Sequence, residues 1–315
     1  MMEIEMYDVL IIGSGPAGMG AAVYAVRAGL RAAVLDRSPV SGGQVLSTYE
    51  VDNYLGFPGM SGGDLSEAFR KHADALGVQF ITADVQGVVD CSGGQTMYTV
   101  HTDKGDFQTR TIIIATGASH SQLGAPGEKE LAGMGVSYCA TCDGAFYRKS
   151  TVAVVGGGDV AVEDAVFLAG ICEKVYLIHR RNQLRAAESL QRKLLSLDNV
   201  EIIWDSEVEE ILGSEMVEGI KIHNKKNSGK DTLDVEGVFI AVGIVPDTSL
   251  LNDLVEMDEK GYIIADETCA TSRKGIFAAG DIRKKPMRQI ITAVADGANA
   301  VYSVQEFLNH EIITK

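Results

Sequence analysis

Cys139 and Cys142 stand two residues apart in "YCATCDG", and Asp143 follows at once. Thiols at this spacing have three uses: half of a zinc site, small groups filling a core, or a dithiol that opens and closes as a disulfide. A zinc site needs two more ligands at suitable spacing. The remaining cysteines, Cys91, Cys172 and Cys269, are isolated, no His lies at a finger-like distance, and no metal is expected. Polar Thr141 and Asp143 argue against a purely apolar slot. A redox dithiol remains, and it needs a source of electrons and of protons. Asp143 is placed to carry a proton to or from the thiols, or else to cap the following helix.

Two glycine loops supply the electron source. In "YDVLIIGSGPAGMG" the apolar run Val9–Ile12 reads as a buried parallel strand, and Gly13, Ser14, Gly15, Pro16, Ala17 and Gly18 form a GxGxxG turn. A helix over Ala21–Ala28 and a second strand over Ala32–Leu35 follow, ending in Asp36. Gly13 permits the turn, Gly15 admits a pyrophosphate to the backbone, and Gly18 lets helix and strand pack closely. The helix N-terminus then faces the phosphates, and the Asp36 carboxylate can accept from ribose hydroxyls.

"TVAVVGGGDVAVEDA" repeats the unit. Val152–Val155 reads as a strand, Gly156, Gly158 and Ala161 as the turn with Asp159 inside it, and Lys174–Ile178 as the second strand. Where the first unit places Asp36, this one places His179, with Arg180, Arg181 and Arg185 close behind. A carboxylate would repel a 2′-phosphate, whereas guanidinium groups bind one bidentately. The second loop is therefore expected to hold NADP rather than NAD. A flavin paired with a nicotinamide donor is the economical reading of two such loops.

Three strand-to-glycine exits organise the chain: "TIIIATGAS", "GVFIAVGIVPD" and "GIFAAGDIR". If the C-terminal piece completes the first unit, the second is an insertion joined by crossings near Gly117–His120 and Gly243–Asp247. The 315 residues, 46% of them hydrophobic, suffice for two cores, and a net charge of −15 makes a nucleic-acid surface unexpected. No apolar run approaches the ~20 residues of a membrane span. With no signal peptide visible and few cysteines, a cytoplasmic protein is expected.

Taken together, GSGPAG at 13–18, GGQ at 42–44, ATGAS at 115–119, CATCD at 139–143, GGGDVA at 156–161, HRRNQLR at 179–185, GD at 280–281 and RQ at 288–289 resemble the low-molecular-weight, NADPH-dependent thioredoxin reductases of bacteria. The resemblance implies an α/β fold of two Rossmann-like, three-layer ββα dinucleotide-binding domains. An NADPH domain at 120–247 is inserted into an FAD domain formed by 1–119 and 248–315. It implies that FAD is held by the first loop, Asp36 with Arg37, Gly43 with Gln44, Asn53, Thr116 with Gly117, Gly280 with Asp281, and Arg288 with Gln289 and Ile290. NADPH falls to the second loop with His179, Arg180, Arg181 and Arg185. It further implies a homodimer that reduces the disulfide of thioredoxin through Cys139 and Cys142, with Cys142 nearer the flavin and one domain rotating against the other in each cycle. Same-fold relatives take electrons from ferredoxin or oxidise small-molecule dithiols without NADPH; the intact arginine set argues against both.

Overall fold

The structure is a computed structural model, and it describes residues 6–48, 51, 53–91, 93, 96–251 and 254–313. The chain divides into two compact units. The first gathers Met1–Ser47, Val51–Ser119 and Val245–Lys315, and the second is built on His120–Ile244.

The first unit begins with β1 (Met6–Ile12), α1 (Pro16–Arg27) and β2 (Ala32–Asp36). Helix α2 (Gly62–Ala75), β3 (Gln79–Thr82), β4 (Val85–Asp90), β5 (Tyr98–Thr102) and the long β6 (Gly105–Ile114) follow. The chain then leaves through β7 (Ala118–His120). The second unit runs β8 (Val136–Ser137), α3 (Ala140–Asp143), β9 (Thr151–Gly156), α4 (Asp159–Ala169), β10 (Lys174–Ile178), α5 (Glu188–Leu195) and β11 (Val200–Ile203). It continues with β12 (Ser206–Leu212), β13 (Gly219–Asn224), β14 (Lys230–Leu233) and β15 (Gly237–Ala241). The return crossing is β16 (Ile244–Pro246), and β17 (Ile276–Ala278) and α6 (Ile290–Ile313) complete the first unit.

The first unit's seven-stranded sheet has the order β3-β2-β1-β6-β5-β4, with β17 also on β6. Strand β6 pairs with β1 along one edge and serves two partners along the other. Its first half pairs antiparallel with β5, and Ile112, Ile113 and Ile114 pair in parallel with Ile276, Phe277 and Ala278. This register sets the chain leaving β17 beside the chain leaving β6 and β1, all at the carboxyl ends of parallel strands, the ordinary place for a ligand in an open α/β sheet. Helices α1 and α6 lie against one face of the sheet, over a core that includes Ile11, Val34, Ile113, Ala300 and Val304.

The second unit carries the parallel sheet β11-β10-β9-β15-β8 and an antiparallel ribbon β12-β13-β14. Its core is closed by Val152, Val154, Ala165, Leu168, Val175 and Phe239 on one side of the sheet and by Ala153, Val155, Ile220 and Ile240 on the other. The two crossings pair as a short ribbon, β7 with β16, extended by Ser121 N–H donating to Gly243 O at 2.9 Å. Among the described residues no helix is long and apolar enough to cross a membrane.

Helix α1 starts at Pro16, well before the Ala21 that the apolar pattern suggests. Proline at the first helical position is pre-set for the helix and sacrifices an N–H that has no intrahelical partner there. The glycines inside the helix mark where other backbone touches it. A Cβ on Gly18 would fall well inside contact distance of the Gly13 carbonyl, and one on Gly20 would lie 2.9 Å from Val294 O. Gly18→Ala should therefore destabilise by about 3 kcal/mol or more, since backbone cannot step aside as a side chain does. Gly77→Ala, at φ +77° with nothing within 4 Å, should cost only the left-handed strain of about 1–2 kcal/mol. Chemical denaturation of the two variants checks the ranking.

Candidate active site

In the first unit, the turn after β1 is made at Gly13, whose φ of +105° brings its Cα against Ala115 O. Gly15 is the N-cap of α1. Asp36 reaches back into this turn: its Oδ2 accepts from Ser14 N–H at 2.6 Å and Ser14 Oγ at 2.7 Å, and its Oδ1 from Ser38 N–H at 2.8 Å. The carboxylate thus braces the loop itself, a task the sequence reading did not give it, and keeps spare acceptor capacity on Oδ1. Beside it lies a cleft lined by Ser14, Asp36, Ser38, Arg70, Phe80 and Thr82, with the Arg70 guanidinium 3.7 Å above the Phe80 ring.

The other residues expected at this site are gathered in two further groups. Asn53 Nδ2 donates to Gln289 Oε1 at 2.9 Å, and Ile290 packs on Val45, Val51 and Leu65, just beyond Gly43 and Gln44. Gln44 Nε2 donates to Ala118 O, close to Thr116 and Gly117. Thr116 Oγ1 donates to Asp247 O at 2.8 Å, and Arg37, largely exposed, stands 4.0 Å from the Asp247 carboxylate.

Gly280 turns at φ +82° against Ala17 and presents Asp281. Asp281 Oδ1 and Arg288 Nε are buried without a hydrogen-bond partner, although the Arg288 guanidinium lies 4.1 Å over the Tyr262 ring. Buried polar atoms are rarely left unpaired, so these two mark places for a polar ligand. Burial pushes the Asp281 carboxyl above the usual carboxylate range, opposed by the charges of Lys285 and Arg288. Beneath it is a charged cluster that no motif announced. Asp296, buried on α6, accepts from Arg283 Nη2 at 2.7 Å and from Arg283 Nε, Lys285 Nζ and Gly280 N–H at 2.9 Å each.

The second unit repeats the strand-turn-helix geometry. A Cβ on Gly156 would stand 2.5 Å from both Ala161 Cβ and Ala241 O, and Gly158 caps α4. Asp159 Oδ1 accepts from Ala187 N–H at 2.7 Å, and Gly157 O from Arg185 N–H at 2.7 Å, so the segment 185–187 is pinned to the loop. Arg180, Arg181 and Arg185 are exposed. His179 does not share their exposure. It is 4% exposed, its Nε2 is 2.9 Å from Gln183 O, its ring meets Trp204 edge-on, and it lies under Gly157. The structure makes it a support for the loop: burial runs on from Leu177 and Ile178 through His179, and exposure begins at Arg180.

Cys139 is disulfide-bonded in this structure, while Cys91, Cys172 and Cys269 are free. The side chain of Cys142 lies outside the described residues. Burial lifts the Cys172 thiol to about 11 and Cys269 to about 12, which leaves both inert. Ser137, buried at the end of β8, orders the redox segment: its Oγ accepts from Cys139 N–H at 3.1 Å and donates to Asp143 Oδ2 at 2.6 Å. Burial raises the Asp143 carboxyl, and the Ser137 bond only partly offsets this. Glu128, 1% exposed, accepts from the N–H groups of Leu123 and Gly124 and from Tyr138 Oη. It thereby ties the entry segment of the unit to the residue before Cys139. Sequence spacing carries no signal for Ser137 or Glu128, because each is identified only by what the fold lays against it.

A carboxyl raised on folding binds its proton more tightly in the folded state than in the unfolded one. Stability tied to Asp143 is therefore present at low pH and lost as pH rises from the unfolded value through the raised folded one. Asp143→Asn should melt at or above the parent's temperature at neutral pH, with the gain absent near pH 3. If the carboxyl carries protons, its turnover should fall roughly 10²-fold or more. Thermal melts at both pH values and steady-state rates check the two halves separately.

Comparison with known proteins agrees with this geometry. Residues 7–297 match the family model described as pyridine nucleotide-disulphide oxidoreductase. The thioredoxin reductase of Listeria monocytogenes is 45% identical over 97% of this chain and 95% of its own length. The crystal structure of thioredoxin reductase from Streptococcus pyogenes superposes with a TM-score of 0.85 at 43% identity, covering 98% of this chain and 100% of that one. The Lactococcus lactis thioredoxin reductase, in what is termed the FR conformation, gives 0.72 at 41% identity over 96% and 99% of the two chains. The chain belongs to the pyridine nucleotide-disulphide oxidoreductase family, among its thioredoxin reductases.

Proposed function

We propose that this protein reduces the disulfide of thioredoxin, with electrons passing from NADPH through FAD to the Cys139/Cys142 pair. The observation that carries the proposal is the disulfide-bonded Cys139 on the same unit as a dinucleotide loop flanked by three exposed arginines. The first unit fits FAD on its own evidence: a glycine turn open to a pyrophosphate, a cleft at Asp36 of the kind that takes an adenosine, and buried unpaired atoms on Asp281 and Arg288. Gly43, Gln44, Asn53, Thr116, Gly117, Gln289 and Ile290 complete the set that would hold it.

FAD, when bound, supplies the two-electron relay between nicotinamide and disulfide. The chain's own residues do the rest. Gly158 and the start of α4 receive the NADPH pyrophosphate, and Arg180, Arg181 and Arg185 receive the 2′-phosphate. Opening the disulfide consumes two electrons and two protons. Asp143, raised by burial, can pass a proton to the thiolate of the neighbouring Cys142, while its bond from Ser137 fixes its direction. The freed dithiol then exchanges with the thioredoxin disulfide through a mixed disulfide. Since NADPH and dithiol share one unit and FAD belongs to the other, the proposal includes rotation of one unit against the other between half-reactions. A cytoplasmic homodimer is part of the same proposal, supported by the family resemblance.

Each charge-assisted bond to the 2′-phosphate is worth about 1.5–3 kcal/mol, so kcat/KM for NADPH should exceed that for NADH by at least about tenfold. In the Arg180→Ala/Arg181→Ala variant the preference should collapse mainly through KM for NADPH; equal efficiency in the parent would contradict the assignment. Cys139→Ser should lose thioredoxin reduction while anaerobic NADPH still bleaches the flavin absorbance near the parent rate, because disulfide exchange needs both thiols and hydride transfer needs neither. A variant that still turned over thioredoxin would remove the pair from the mechanism.

A further inference from the structure

The geometry points to Lys285 as a positioning residue that gives the Asp281 carboxylate a fixed counter-charge and leaves it open toward the ligand of the first unit. The inference rests on the FAD assignment above. The Lys285 side chain is 4% exposed, and a buried ammonium needs compensating charge. Its nearest carboxylate, Asp296, is already engaged on both oxygens by the forked guanidinium of Arg283, and Asp296 Oδ2 also accepts from Gly280 N–H. Asp296 is thus the buried counter-charge to both cations, and Arg283 also has the exposed Glu267 carboxylate 3.9 Å from its Nη2. The other carboxylate facing Lys285 is Asp281, whose Oδ1 stands 3.7 Å from Lys285 Nζ and accepts no hydrogen bond.

The ammonium is fixed from the other side. Lys285 Nζ donates to Asp296 Oδ2 at 2.9 Å and lies 3.3 Å from Thr292 Oγ1, so it cannot swing to cover Asp281 more closely without giving up a bond. The result is an attraction without capture. The charge opposes the effect of burial on Asp281, and the open lone pairs of Oδ1 stay available to a ligand hydroxyl. Three groups face that carboxylate: Lys285 and Arg288 favour its charge and Asp296 opposes it. The backbone of the same loop is set by the same cluster, because Gly280 N–H is bonded to Asp296.

The test is a double-mutant cycle on FAD affinity, read by quenching of FAD fluorescence on titration into FAD-free protein. Lys285→Met should weaken binding about tenfold or more, the scale of one charge-assisted contact. Lys285→Arg, which restores the charge, should bring most of that affinity back; a mere packing role would favour Met over the bulkier Arg. In an Asp281→Asn background, Lys285→Met should add less than about twofold, since residues acting through one another are not additive. Should Lys285→Met not fold, Lys285→Gln runs the same cycle, keeping a donor to Asp296 without the charge. Parent-like affinity in the uncharged Lys285 variant, or losses that simply multiply in the double variant, would overturn the proposal. A parent protein that takes up no FAD would overturn the assignment on which it rests.

Discussion

Backbone-to-backbone contact around α1 is the constraint on which the first unit depends. On one side Gly18 lies against the Gly13 carbonyl, with no room for a methyl group between helix and strand. On the other, Gly20 meets Val294 and Gly297 meets Ala17, which presses α6 onto α1 at the same closeness. These contacts set the height of α6 above the sheet. Asp296, one residue before Gly297, is thereby delivered beneath Gly280, and the buried ion cluster assembles where two loops and a helix converge. A side chain at any of these glycines would move the helix, and with it the carboxylate that fixes the loop.

The two units solve the problem of a buried carboxylate differently. In the second, Glu128 is paid in neutral donors: two backbone N–H groups and a phenol. Such a site is fully hydrogen-bonded but has no counter-charge among the described residues. In the first, Asp296 is bonded by two cations, of which Arg283 also faces Glu267 and Lys285 also faces Asp281. A buried ion pair is weak evidence of stability, because desolvation consumes much of the attraction. Its presence next to a cofactor-type loop is better understood as placing a field than as holding the fold together.

Both strand-turn-helix units were legible because glycine spacing is a steric requirement, and sterics leave a mark in sequence. The strand Lys174–Ile178 is found with the bounds expected, and the strands at Val9–Ile12 and Val152–Val155 extend only slightly beyond them. What escaped was three-dimensional pairing. Asp36 read as a ribose acceptor, yet most of its capacity goes to Ser14 and Ser38. His179 read as part of a basic cluster, yet it is buried under Gly157. Ser137, Glu128, Lys285 and Asp296 belong to no spacing rule; each gains its meaning from a partner brought to it by packing.

The ribbon of β7 and β16 has a consequence for the history of the molecule. The chain enters and leaves the second unit through neighbouring, hydrogen-bonded strands, so the two ends of 120–244 meet. That unit also has a closed interior of its own on both faces of its sheet. A segment with adjacent ends and a core of its own is the kind that a host chain can carry as an insertion in a loop.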